Sequence, residues 1–142
     1  MISCEKQKEE KRSIICVIDI DDFKKLNDVY GHITGDKVLK SVASIFLKNI
    51  RSSDFIARIG GEEFIVILHD VIMEEARLII DKLREKISNT QFLDYSENNK
   101  IKCTISGGID EIQKNDSLAS AVDRADKNLY KAKNSGKNMI IS

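Results

Sequence analysis

A pair of glycines followed by a pair of glutamates, Gly60-Gly61-Glu62-Glu63, lies between two short apolar stretches and constrains this chain more than any other feature. The stretch that follows, Phe64-Ile65-Val66-Ile67-Leu68, has the composition of a strand, and Asp54 to Leu68 as a whole reads as a β-hairpin. Glycines at such a tip are expected to supply positive φ values and to leave bare backbone for a ligand, with two carboxylates beside it. Upstream, the apolar run Ser13 to Ile18 ends in Asp19-Ile20-Asp21-Asp22-Phe23. If the two strands are neighbours, Asp19 and Glu62 converge at one edge of the sheet. There they can share a hard cation such as Mg²⁺, which prefers oxygen ligands and accompanies phosphates.

With 142 residues and 42% hydrophobic content the chain suits one domain with a core of its own. Lysine plus arginine equals aspartate plus glutamate, 23 each, which argues against a protein that coats nucleic acid. The longest apolar runs, Ile14 to Ile18 and Phe64 to Leu68, are far too short to span a bilayer, and the opening residues show no signal-peptide pattern. A cytoplasmic protein without membrane contact is expected, or the cytosolic part of a larger sensor. Cys4, Cys16 and Cys103 are odd in number and unpaired in spacing, so they predict neither a disulfide framework nor a metal cluster.

Residues 1–12 are polar and read as a tail or the end of a truncated helix, and residues 13–142 as the domain. Ser13 to Ile20 predicts a buried strand, Asp22 to Val29 a short helix, and the next helix is expected to start at Thr34 as its cap. Helical spacing then predicts Glu74 to Ser88 and Ser117 to Asn134, the latter stopped near Gly136. Ile101, Cys103 and Ile105 alternate as a strand, Met139 to Ile141 forms a last one, and Gln91 to Lys100 reads as a polar loop. The order β-α-α-β-β-α-β-α-β predicts an α/β (α+β) sandwich with helices around a mixed or antiparallel central sheet.

Five blocks, in order, resemble the GGDEF family of diguanylate cyclases in its GGEEF version. They are Asp19 to Asp28, Gly31 to Asp36, Arg58 to Phe64, Thr104 to Gly108, and Ala125 to Lys133 with Gly136-Lys137-Asn138. The usual opening helix and its Asp-x-Leu-Thr-Gly stretch have no counterpart, so a shortened domain is expected. The resemblance implies a palm-like sheet on which two GTP molecules condense to cyclic di-GMP with release of pyrophosphate, in a transient homodimer. Asp19, the backbone carbonyl of Ile20 and Glu62 would hold Mg²⁺ or Mn²⁺, with Glu63 assisting at the metal or as proton acceptor.

By the same resemblance, Asn27 and Asp36 would read guanine, since a carboxylate accepts from the N1 and N2 donors that guanine alone presents together. Phe23, His32, Gly60 and Gly61 would line the substrate pocket, and Lys24, Lys127 and Lys131 would contact the triphosphate. Asp21 and Asp22 read as a helix cap and a solvated acid rather than metal ligands. Arg51-Ser52-Ser53-Asp54 stands at the offset of the family's inhibitory RxxD motif, where bound cyclic di-GMP closes a feedback loop, with Lys82 where relatives bring a supporting arginine. The rival reading is a weak or inactive domain that binds GTP or cyclic di-GMP. Both acids of the signature turn survive here, which favours the enzyme.

Overall fold

A computed structural model describes residues 12–142. The chain runs through β1 (Arg12–Ile20), α1 (Phe23–Tyr30), α2 (His32–Asn49), β2 (Phe55–Arg58), β3 (Glu63–Val71), α3 (Met73–Ser88), β4 (Phe92–Leu93), β5 (Lys100–Ile101), β6 (Ile105–Glu111), α4 (Leu118–Asn134) and β7 (Ile140–Ile141). Five strands form one sheet in the order β2-β3-β1-β6-β7, and β4 pairs with β5 separately. Within the large sheet every pairing is antiparallel except β6 with β7. This is the mixed, mostly antiparallel α/β architecture expected from the order of elements.

β1 is central and buried on both faces, which is why it is apolar almost throughout. Ile14, Cys16, Ile18 and Ile20 join the main core with Val38, Val42 and Phe46 of α2 and Ile80 and Ile87 of α3. Ile15 and Val17 point the other way and pack with Ile65 against Ala121, Ala125 and Leu129 of α4. Phe46 and Phe64 meet edge to face at 5.3 Å, which ties α2 to the start of β3. α4 lies directly on β6, because a Cβ at Gly108 would stand 2.0 Å from the Ala125 carbonyl oxygen and 2.2 Å from the Leu129 nitrogen. Glycine is therefore needed at 108 to bring α4, and what it carries, down onto the sheet.

Several expectations change. Asp19 and the hairpin tip meet at one end of two neighbouring strands, with β1 in the middle of the sheet, rather than at a lateral edge. α2 begins at His32, after Gly31 at φ 90°, so Thr34 is no cap; it is buried in the first turn and its hydroxyl accepts from the Tyr95 amide. The polar Gln91–Lys100 segment contains β4 and most of a turn built on Asp94, whose carboxylate accepts from Ser96, Asn98 and Asn99. Ile101, Cys103 and Ile105 do alternate inward, all three buried, but not as one strand, because β5 ends at Ile101 and β6 starts at Ile105. Arg12 belongs to β1, and the expectation for the residues before it falls outside the described residues.

Candidate active site

The antiparallel register sets Asp19 opposite Glu63 on one side and opposite Ser106 on the other. Directly opposed residues share a face, so Asp19 and Glu63 lie together on the α4 side, continuing the line of Ile15 and Val17. Glu62 sits one residue before β3, and its carbonyl accepts from the Ile20 amide at 3.2 Å. The turn is closed by Ile59 donating to the Glu63 carbonyl at 3.0 Å, and by Arg58, whose Nε donates to the carbonyls of Gly60 and Gly61 at 3.1 Å each. Among the glycines, positive φ occurs at Gly31 and Gly136, not at Gly60 or Gly61, so the expected role of the paired glycines in a tight turn is corrected. The loop between Arg58 and Glu63 is long enough to turn without left-handed residues, held from inside by the Arg58 fork. A Cβ at Gly61 would meet nothing within 4 Å, so the chain's own packing does not demand glycine there.

The cation at these acids comes from α4. Lys133 Nζ stands 3.0 Å from Asp19 and 2.7 Å from Asp21, and Lys137 Nζ stands 2.6 Å from Asp22. Burial raises the pKa of Asp19, against the lowering effect of the bond from Lys133. Burial and then the charge of Asp19 raise Glu62 and Glu63 as well. Burial also pushes Asp21 upward, but its bonds from Lys133, Ser106, Thr104 and Asn138 outweigh that and hold it below the ordinary range. Asp21 is thus neither a cap nor a solvated acid but a buried acceptor. Asp22 precedes α1 in a left-handed conformation, makes no capping bond and pairs with Lys137 instead.

Among the described residues no three acidic, histidine or cysteine side chains already form a metal cage. Mg²⁺ does not require one, since it keeps several waters and binds through one or two carboxylates together with substrate phosphates. The donors fit such an ion: Asp19, the Ile20 carbonyl and Glu62 offer hard oxygen only. Burial, and after it the charge of neighbouring acids, has pushed up the acids, and an ammonium group already stands against Asp19.

α1 and α2 carry the residues expected to read guanine. Phe23 is buried, while Lys24, His32 and Asp36 are exposed. Asn27 is half-buried, and its Oδ1 is buried without a hydrogen-bond partner. A Cβ on Gly35 would fall 1.8 Å from that oxygen and 3.2 Å from the Phe23 ring, so glycine at 35 leaves the room that Asn27 occupies.

Lys127 and Lys131 are exposed, and Lys127 pairs with Asp123 at 3.2 Å. They are not brought to the acids: at about 100° per residue they lie on a different flank of α4 from Lys133. A signal for Lys133 was present in the sequence, because it follows Leu129 by four residues and so continues the inward stripe of Ala121, Ala125 and Leu129.

Arg51 and Asp54 lie at the opposite end of the hairpin. Arg51 Nε and NH2 donate to Asp54 Oδ2 and Oδ1 at 3.1 and 3.0 Å, and the amides of Arg51 and His69 also donate to that carboxylate. Arg51 further donates to the His69 carbonyl. The Asp54 side chain is 2% exposed and that of Arg51 50%. Burial acts to raise the Asp54 pKa, and these bonds overcome it and lower it. Lys82 is on α3, lining a shallow groove with Asn49, Ile79, Leu83 and Lys86, and the acids that act on Arg51 are Asp54, Asp70 and Glu75.

The chain and its fold are matched among known proteins. The family model for the diguanylate cyclase GGDEF domain matches residues 2–139, and the chain belongs to that family. It is 39% identical over 127 residues to the diguanylate cyclase DgcP of Pseudomonas aeruginosa, covering 89% of this chain and 19% of that protein. The GGDEF domain of DgcB from Caulobacter crescentus, solved in complex with cyclic di-GMP, superposes with a TM-score of 0.86 at 34% identity, covering 91% of this chain and 76% of that one. The active GGEEF domain of a diguanylate cyclase from Vibrio cholerae superposes with a TM-score of 0.81 at 32% identity, covering 92% and 82%. The chain spans 19% to 36% of the length of the first curated relatives it matches. No helix among the described residues is long and apolar enough to cross a membrane.

Proposed function

We propose that this chain carries a diguanylate cyclase domain that condenses two GTP molecules into cyclic di-GMP and two pyrophosphates. The observation that carries the proposal is the convergence of Asp19, Glu62 and Glu63, all pushed up in pKa, at the open end of the β1–β3 ladder beside bare glycine backbone. Asp19, the Ile20 carbonyl and Glu62 would hold a divalent ion, Mg²⁺ or Mn²⁺, and Glu63 stands across the ladder from Asp19, where it would assist. When bound, such an ion neutralises phosphate charge and lowers the pKa of the attacking hydroxyl.

In each half-reaction the 3′-oxygen of one GTP bonds to the α-phosphorus of the other, the bond from that phosphorus to the pyrophosphate oxygen breaks, and the hydroxyl proton passes to a carboxylate, Glu62 or Glu63. Raised acids suit that last task, because their basicity is closer to neutral pH. Lys133 and Lys137, at the ends of bonds to Asp19, Asp21 and Asp22, stand where the triphosphate charge must lie, with Lys24 on the first turn of α1. The exposed Asp36 supplies an acceptor for guanine, and Asn27, whose Oδ1 is buried against Gly35, is assigned to the same pocket with Phe23 and His32. Each subunit holds one GTP, so the reaction needs a second copy of the domain.

Product feedback is assigned to Arg51, with Asp54 behind it. Arg51 presents half of its side chain to solvent, but Asp54 is filled by internal donors, so a guanine that takes Asp54 must displace the Arg51 fork. Lys82 would reach that end only as a longer-range charge.

Incubating the chain with GTP and Mg²⁺ at high protein concentration should yield cyclic di-GMP by mass spectrometry. The rate should rise more than linearly with protein concentration, because one site is built from two copies. Nucleotide binding without product under these conditions would leave a receptor in place of an enzyme.

A further inference from the structure

Asp21 takes no part in the chemistry above, yet it is the most fully engaged carboxylate at the site. Its side chain is 2% exposed. Oδ2 accepts from Thr104 Oγ1 at 2.7 Å and from the Asn138 amide at 3.0 Å, and Oδ1 accepts from Ser106 Oγ and Lys133 Nζ, both at 2.7 Å. A carboxylate has about four lone-pair sites, and here all are taken, three by neutral donors and one by an ammonium. That leaves none for a metal ion. The donors come from the start of β6, the end of α4 and the loop into β7, so Asp21 ties three separate segments to the end of β1.

We propose that Asp21 is the positioning residue that fixes Lys133 at the phosphate end of the site, an inference that rests on the GTP reading. In the free protein Lys133 bridges Asp19 and Asp21. Once a divalent ion takes over Asp19, the ammonium keeps one carboxylate, and that one is buried and immobile. A lysine normally loses considerable rotamer freedom when it grips a phosphate, and Asp21 removes most of that cost in advance. The bond from the Asn138 amide orders the residue next to Lys137, so both ammonium groups are referenced to the same carboxylate. Charge-assisted bonds are about twice as strong as neutral ones, so removing the charge of Asp21 while keeping its shape loosens Lys133 more than it loosens Thr104 or Ser106.

The test uses the full chain and the near-isosteric Asp21→Asn. Without nucleotide, labelling by an amine-reactive reagent should become about tenfold faster at Lys133 while Lys127 in the same sample stays constant; an unchanged ratio overturns the proposal. With nucleotide, calorimetry should show GTP binding weakened about tenfold and guanosine binding changed less than about twofold, since guanosine has no phosphate for Lys133 to hold. Equal loss of both marks a merely structural residue and overturns it. In a Lys133→Met background, Asp21→Asn should leave the ratio of GTP to guanosine affinity unchanged, and a further fall in that ratio overturns the claim that Asp21 acts through Lys133. If Asp21→Asn alone does not fold, the comparison of Lys133→Met with the double substitution decides, because the double variant removes both members of the buried Lys133–Asp21 pair. A wild-type chain that binds neither GTP nor guanosine overturns the functional reading and the phosphate half of this proposal, while labelling still decides whether Asp21 fixes Lys133.

Discussion

The β2–β3 hairpin carries acids at both ends, and the two ends hold them in opposite ways. At the tip, Glu62 and Glu63 crowd against Asp19 across the ladder, their pKa values are raised, and the positive charge beside Asp19 is a single lysine shared with Asp21. At the base, Asp54 is enclosed by the Arg51 fork and by two backbone amides, and its pKa is lowered. From Glu63 to His69 the two ends are about 20 Å apart at the rise of an extended strand. Acids left short of donors are kept for a partner that arrives from outside, whereas acids already saturated hold the fold. On the proposed reading the same residue type serves substrate at the tip, while at the base Asp54 holds the fold and fixes Arg51, the side chain assigned to the product.

Breaking the tip should have the largest effect. Glu62→Gln keeps the size of the side chain but removes the charge proposed to hold the ion, so turnover of GTP should fall by a factor of at least about 100 while the fold is retained. Full turnover with unchanged Mg²⁺ dependence would remove Glu62 from the site.

Breaking the base should instead show in stability. Asp54→Asn leaves Arg51 without its carboxylate and should cost about 2 kcal/mol in denaturant unfolding at neutral pH. Because the folded pKa of Asp54 is lowered, its contribution is present above the unfolded value near pH 4 and is lost as pH falls below it. The gap between the wild type and the variant should close over that range, and a gap that persists into acid would mean packing rather than charge.

The smallest effect sharpens the contrast, since its sign is reversed. Glu63 has a raised folded pKa, so its stabilising term is present only in acid and is lost as pH rises through that value. Glu63→Gln should therefore make the nucleotide-free chain slightly more stable at neutral pH, by less than about 1 kcal/mol given the solvent around it, with no difference in acid. Destabilisation at neutral pH would show that the tip acids are already satisfied.

Features of the site that depend on local chain order were readable in the sequence. A strand ending in Asp19 and a turn carrying Glu62 are recorded by neighbouring residues, and so is the order of strands and helices. Lys133 was harder to see, because its place depends on how α4 rotates over β1 once Gly108 lets the helix settle on the sheet. A search for a lysine pair on one helical face picks Lys127 and Lys131, which share a face of α4 turned away from the acids. Asp21 was misread for a related reason: its four donors come from residues 104, 106, 133 and 138, remote in sequence. The β4–β5 pair was hidden because its connecting turn is satisfied by Asp94 and looks polar throughout.

The most direct test is a crossed titration, in which Glu62→Gln and Arg51→Ala are each titrated calorimetrically with GTP in the presence of Mg²⁺ and with cyclic di-GMP. Glu62→Gln should weaken GTP and spare cyclic di-GMP, while Arg51→Ala should weaken cyclic di-GMP about tenfold or more and spare GTP. Losses that follow the same pattern in both variants, or unchanged affinities in either, would contradict the division of the hairpin into a substrate end and a product end.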